Sequence, residues 1–120
     1  VCSLSLFLLA ACGGDDADSL GVAAQCTATD ECDSDNGQSC LLDFKGGYCG
    51  IVDCPDDTGC PDNSACVTHD DGMNYCFRTC TDKAECNANR DADNEANCSS
   101  SVTFVETQAG SVKACVPPSA

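Results

Sequence analysis

The chain has 120 residues, 14 of them Cys, with 20 acidic and 5 basic residues and a net charge of −15. Val, Leu, Ile and Phe number 20, too few for the core of a large enzyme, and five cations are too few for a nucleic-acid binder that must neutralise phosphates. The cysteine density marks a disulfide scaffold of an oxidising compartment rather than a reduced cytosolic domain. From Leu4 to Ala11 no residue is charged and Ser5 alone is polar. That run has the length of a signal-peptide apolar region and is far too short to span a bilayer.

The run ends in Leu9-Ala10-Ala11-Cys12, followed by Gly13-Gly14. This resembles the lipobox of bacterial lipoproteins. The resemblance implies cleavage before Cys12, loss of residues 1–11, and a Cys12 that is thioether-linked to diacylglycerol and acylated on its amine. A basic segment usually precedes such a run, whereas here the sequence starts at Val1 inside it, as a truncated leader or an alternative start would. Parity agrees: with Cys2 discarded and Cys12 lipidated, twelve cysteines remain, an even number. Residues 12–25 then read as the lipidated Cys and an acidic, Gly-containing flexible spacer. By the enterobacterial sorting rule, Gly13 rather than Asp after the acylated Cys favours the outer membrane.

Residues 26–120 read as a small disulfide-rich domain. Its cysteines fall into three tandem four-Cys units: Cys26, Cys32, Cys40, Cys49; then Cys54, Cys60, Cys66, Cys76; then Cys80, Cys86, Cys98, Cys115. Each unit (26–49, 54–76, 80–115) opens Cys-x5-Cys with Thr or Pro after its first Cys and Asp inside the loop, and the first two close Tyr-Cys. The imperfect repetition is that of a short repeat array. The five-residue openings hold no more than one helical turn. Between the third and fourth cysteines a hairpin is expected: around Lys45-Gly46, around Asp70-Asp71-Gly72, and around Ala109-Gly110 with Glu106 set across from Lys113. The expected fold is thus short β-hairpins and irregular loops with little helix outside the leader. Outside residues 1–11 only 14 Val, Leu, Ile or Phe remain, so burial alone cannot offset chain ordering, and the disulfides must supply the difference. Pairing within units leaves 27 patterns. A turn at Lys45-Gly46 places Cys49 opposite Leu42 rather than Cys40, which favours first-to-third and second-to-fourth bridges.

Zinc is disfavoured, because the chain has no Cys-x2-Cys and its one His is His69. No cofactor is expected. Calcium has weak candidates in Asp33 and Asp35, and in Asp91, Asp93 and Glu95, at alternate positions as in calcium loops. Gly37, Ala96 and Val102 stand where an EF-hand would need a ligand, a Gly and a Glu, so solvated acidic loops are the better reading. Catalysis is not expected. His69 lies beside a hairpin turn, and the pairs Asp56-Asp57 and Asp70-Asp71 have no enclosing pocket to separate their pKa values. Lys45 at a hairpin tip, or Arg78 between Cys76 and Cys80, could act as the inserted residue of a protease inhibitor. Asn97-Cys98-Ser99 fits a glycosylation acceptor but carries little weight in a bacterial lipoprotein.

The body resembles the small Cys-rich lipoproteins of myxobacteria and related deltaproteobacteria, whose repeats open Cys-x5-Cys and often end aromatic-Cys. The match covers 26–86 well and 98–115 loosely. It implies a non-enzymatic binding or interaction module on the cell envelope. Its partners would be the membrane through the lipid anchor and an unidentified protein or glycan, not nucleic acid. The alternative is a protease-inhibitor-like or calcium-dependent binder.

Overall fold

The computed structural model describes residues 21–120. The lipobox, Cys2, Cys12 and the first part of the expected spacer lie outside the described residues. The described chain is small, disulfide-rich and mostly β-sheet. Its strands are β1 (Ser39–Cys40), β2 (Cys49–Val52), β3 (Ser64–Thr68), β4 (Asn74–Cys80), β5 (Asn97–Ser99), β6 (Thr103–Phe104) and β7 (Lys113–Val116). One short helix, α1 (Lys83–Cys86), and four single turns of 3₁₀ helix complete it.

Six disulfides join all twelve cysteines among the described residues: Cys26–Cys40, Cys32–Cys49, Cys54–Cys66, Cys60–Cys76, Cys80–Cys98 and Cys86–Cys115. In each group of four, bridges run first to third and second to fourth. The sheet, however, ignores the group boundaries. Its order is β1-β2-β4-β3-β6, with β7 pairing both β4 and β5. β4 pairs β3 over Asn74–Arg78, β2 at Tyr75 and Cys76, and β7 at Thr79 and Cys80. All these ladders are antiparallel, so one strand ties all three groups together.

The five-residue openings each form a single helical turn, and side chains hold it. In the first, Thr27 donates from N–H and hydroxyl to the Glu31 carboxylate at 2.8 Å each. In the third, Thr81 does the same to Glu85 at 2.7 and 2.9 Å. Asp82 and Glu85 form a reciprocal capping box on α1. In the second, Asp56 accepts from the Thr58 N–H. In the second and third openings an Asp side chain thus accepts from a free N–H of the helix start, while in the first the Glu31 carboxylate ties down Thr27 just before the turn.

The hairpins correct several expectations. The first turn lies at Lys45-Gly46, closed by Gly47 N–H donating to Phe44 C=O at 2.9 Å. Its register differs: Cys40 lies opposite Cys49, not Leu42 opposite Cys49. The third and fourth cysteines face each other in the other groups too, as Cys66 opposite Cys76 and Cys98 opposite Cys115. Each of them bridges instead to a cysteine of the opening turn. The second hairpin turns at Asp70-Asp71-Gly72, with His69 N–H donating to Met73 C=O at 2.9 Å. The third expectation fails. β6 pairs β3, while β7 pairs β5 and β4. Glu106 accepts from the Asp57 N–H at 2.7 Å, and Lys113 stands opposite Cys80. The stretch between Cys98 and Cys115 is long enough for its middle to leave its own hairpin and extend another edge.

Side-chain alternation divides β3 and β4 into two faces. Val67, Tyr75 and Phe77 point into the main core with Phe44, Tyr48, Val22 and Ala114, while Cys66 and Cys76 point the other way into a cluster with Cys54. The aromatic residues were not foreseen as a core. Phe44 packs edge-on against Tyr48, His69, Tyr75 and Phe77 at 5.3–5.9 Å, and Tyr75 stacks on Phe77 at 5.5 Å.

The packed body also starts earlier than Cys26. Val22, Ala23 and Ala24 are buried, and they bond to the start of β2: Ala23 N–H donates to Cys49 C=O, and Cys49 N–H to Ala24 C=O, both at 2.9 Å. Residues 21–25, expected as spacer, therefore belong to the packed body, folded as a turn at Val22-Ala23 in which Ala24 N–H donates to Gly21 C=O at 3.2 Å. Isolated apolar residues among Gly and Ala give no periodic signal, yet they fit a sheet edge that needs partners.

Candidate functional site

Two features stand out from the fold: the three paired-disulfide clusters and a buried guanidinium. Arg90 is 8% exposed and faces no carboxylate in its hydrogen bonds. It donates to four backbone carbonyls: Asn94 at 2.7 Å, Ala23 at 3.2 Å, Gly47 at 2.7 Å and Lys45 at 2.8 Å. Its guanidinium also lies over the Tyr48 ring, 5.8 Å from the centroid. Burial lowers its pKa. Gln25 reinforces the junction through Asp91 and Asn94. Arg90 thus clamps residues 23, 45–47 and 94, which sequence spacing keeps far apart. A lone Arg in a polar Asn/Asp run carries no signal of this.

Tyr48 is fully buried, with its hydroxyl donating to Cys115 C=O at 2.8 Å and accepting from Arg78 N–H at 3.2 Å. Burial pushes its pKa well up. Tyr75 is raised to about 12 by burial and by its hydrogen bond to Asp71, with Asp43 and Asp53 adding negative charge nearby. Asp71 is held below the usual carboxylate range by that Tyr75 bond and by Met73 N–H. Glu31 and Glu85 are lowered by the threonine bonds described above, Glu85 also by the Asp82 N–H.

The sequence-derived candidates are dispersed. Asp33 accepts from Asn36 Nδ2 at 2.9 Å, and Asp35 is exposed. Asp91 accepts from Gln25, Glu95 pairs with Lys83 at 3.0 Å, and Asp93 faces solvent. Neither acidic loop gathers three donor atoms within 4.8 Å; among the described residues only cysteine triads do so. His69 is half-buried against Phe44, Tyr75 and Phe77, with no nucleophile among its ring contacts. Arg78 does not project from a loop. It lies within β4 opposite Ser64 and is half-buried. Lys45 does stand exposed at its turn, and Asn97 is exposed on β5.

Recesses are shallow. An open groove of about 330 Å³ is lined by Asp33, Asn36, Ile51, Thr58, Cys60 and Pro61. A narrow recess of about 10 Å³ lies among Val22, Arg78 and Cys86. Seventeen acidic and five basic residues fall within 21–120; since Arg90 is buried and Lys83 ion-paired, the outer surface is strongly anionic. Chemically, the arrangement offers rigid anionic loops and three compact sulfur clusters. No family model, curated protein or solved structure matches this chain.

Proposed function

We propose that this chain is an exported, lipid-anchored, non-enzymatic binding module of the bacterial cell envelope, built from three tandem four-cysteine units. Leu9-Ala10-Ala11-Cys12 supplies the anchoring signal, Cys12 carries the lipid, and residues 12–20 tether the body to the membrane, most naturally the outer one. The observation that carries the reading is the bridging of all twelve cysteines from Cys26 to Cys115, which suits an oxidising, extracytoplasmic compartment and leaves Cys12 for lipid. The anionic surface steers cationic protein or glycan partners over a Debye length of about 8 Å at physiological salt.

Intact mass spectrometry of the protein from its native membranes tests this. A diacyl or triacyl mass on Cys12 with twelve hydrogens lost is expected. An unlipidated Cys12, or free thiols in the body, would overturn it.

A further inference from the structure

The tip of the β3–β4 hairpin carries a sulfur that the covalent frame does not use. Met73 is the chain's single methionine, and it stands 43% exposed just before β4. The cysteines of the described residues are all bridged, so Met73 holds the one sulfur among those residues that lies outside a disulfide. A solvated thioether is open to two-electron oxidation. In a core, the added oxygen would disrupt packing. Met73 lies outside the aromatic cluster, so the body can carry the change and stay folded.

What surrounds the thioether ties it to the turn. Two positions on, Tyr75 projects to the same side of the chain, and its hydroxyl lies 3.8 Å from Met73 Sδ. The same hydroxyl donates to Asp71 Oδ2 at 2.5 Å. Asp71 Oδ1 accepts from Met73 N–H at 2.9 Å, inside the turn that His69, Gly72 and Met73 close with backbone bonds. One phenol proton thus faces two acceptors, a carboxylate and a thioether, and the thioether is the weak one. A sulfoxide is polar and accepts strongly. Its oxygen, bonded to a sulfur 3.8 Å from the phenol oxygen, falls within hydrogen-bond reach of that phenol. The tip is also anionic, with Asp70 and Asp71 exposed beside Met73. That charge repels anionic oxidants and leaves a neutral peroxide unopposed.

We propose that Met73 is a site of oxidation by neutral peroxides, and that its sulfoxide takes the Tyr75 hydroxyl from Asp71 and so makes the hairpin tip redox-responsive. The step balances. A sulfur lone pair attacks one peroxide oxygen, the O–O bond breaks, and the departing oxygen leaves as water with both protons. The thioether is oxidised to the sulfoxide and the peroxide is reduced to water. Asp71 then keeps the Met73 N–H and turns its other oxygen to solvent. The disulfides take no part, and the inference does not rest on lipid anchoring or on an envelope location.

The test exposes the full chain, with its disulfides intact, to hydrogen peroxide. Peptide mapping should find one oxygen added within residues 21–120, on Met73, and the far-UV sheet signal should be unchanged. Asp71 is held below the usual carboxylate range chiefly by its Tyr75 bond. A carbon-detected NMR titration should therefore show its midpoint move up toward that range after oxidation. In Tyr75→Phe the Asp71 midpoint should be the same before and after peroxide. No sulfoxide at Met73, loss of the sheet signal, an Asp71 midpoint unmoved in the oxidised wild-type chain, or an equal movement in Tyr75→Phe would each overturn the proposal.

Discussion

The β3–β4 hairpin presents two faces that are held by different physics. On one, Val67, Tyr75 and Phe77 pack with Phe44 and Tyr48 in an aromatic core. On the other, Cys66 and Cys76 meet the Cys54 and Cys60 bridges with only Ile51 packed beside them. The first face is stabilised by apolar area removed from water and by ring geometry. The second gains most of its stability by restricting the unfolded chain. A body with few large aliphatics thus uses both routes on opposite sides of the same two strands.

The largest expected effect comes from removing the covalent route. Full reduction should abolish the far-UV sheet signal, because loss of each bridge costs about 2–5 kcal/mol. Persistence of that signal would show that the aromatic face suffices alone. Phe77→Ala attacks the other face and should cost about 3–5 kcal/mol, measured by denaturant unfolding with all bridges intact. A cost below about 1 kcal/mol would make the aromatic face incidental.

Two glycines sharpen the contrast further. Both Gly47 and Gly72 have positive φ, at +72° and +85°. A Cβ on Gly47 would fall 2.1 Å from Cys26 O and 2.9 Å from both sulfurs of the Cys26–Cys40 bridge. Gly47→Ala should therefore lose or mispair that bridge, visible in a disulfide map. A Cβ on Gly72 meets nothing within 4 Å, so Gly72→Ala should cost only the left-handed backbone preference, about 1–2 kcal/mol, with native pairing kept.

The smallest effects are those of pH. Asp71, Glu31 and Glu85 have lowered pKa values, so their stabilisation is present above about pH 4.3 and is lost as pH falls through the folded values. Unfolding midpoints should fall gently on acidification, and Asp71→Asn should remove part of that slope. Tyr75 works in the opposite direction. Its pKa, raised to about 12, favours the fold while the phenol stays neutral, so stability is lost as pH rises from about 10 through about 12. Tyrosinate absorbance rising near pH 10 without delay would refute the raised value.

Much of the covalent plan was legible in the cysteine spacing. The x5 openings do form single helical turns, and Asp70-Asp71-Gly72 does turn a hairpin, because both are local and depend on a few adjacent backbone conformations. The threonine–glutamate lock was also readable in principle, since both Cys26–Cys32 and Cys80–Cys86 read Cys-Thr-x3-Glu-Cys. What was missed is long-range. The aromatic core joins rings from three segments separated by up to 33 positions, from Phe44 to Phe77. Neither that convergence nor the Arg90 clamp leaves a periodic trace.

The amino-acid sequence by itself determined that the chain is acidic, poor in aliphatics, rich in disulfides, and mostly β with little helix, because these follow from composition and local turn chemistry. Only the tertiary structure decided that Cys40 faces Cys49 yet bonds Cys26, that β6 leaves its own hairpin to pair β3, and that residues 22–25 join the body. The physical reason is common to all three. Strand pairing is chosen by which edges and apolar faces can be satisfied together, a competition among distant segments that nearest neighbours in the chain do not encode.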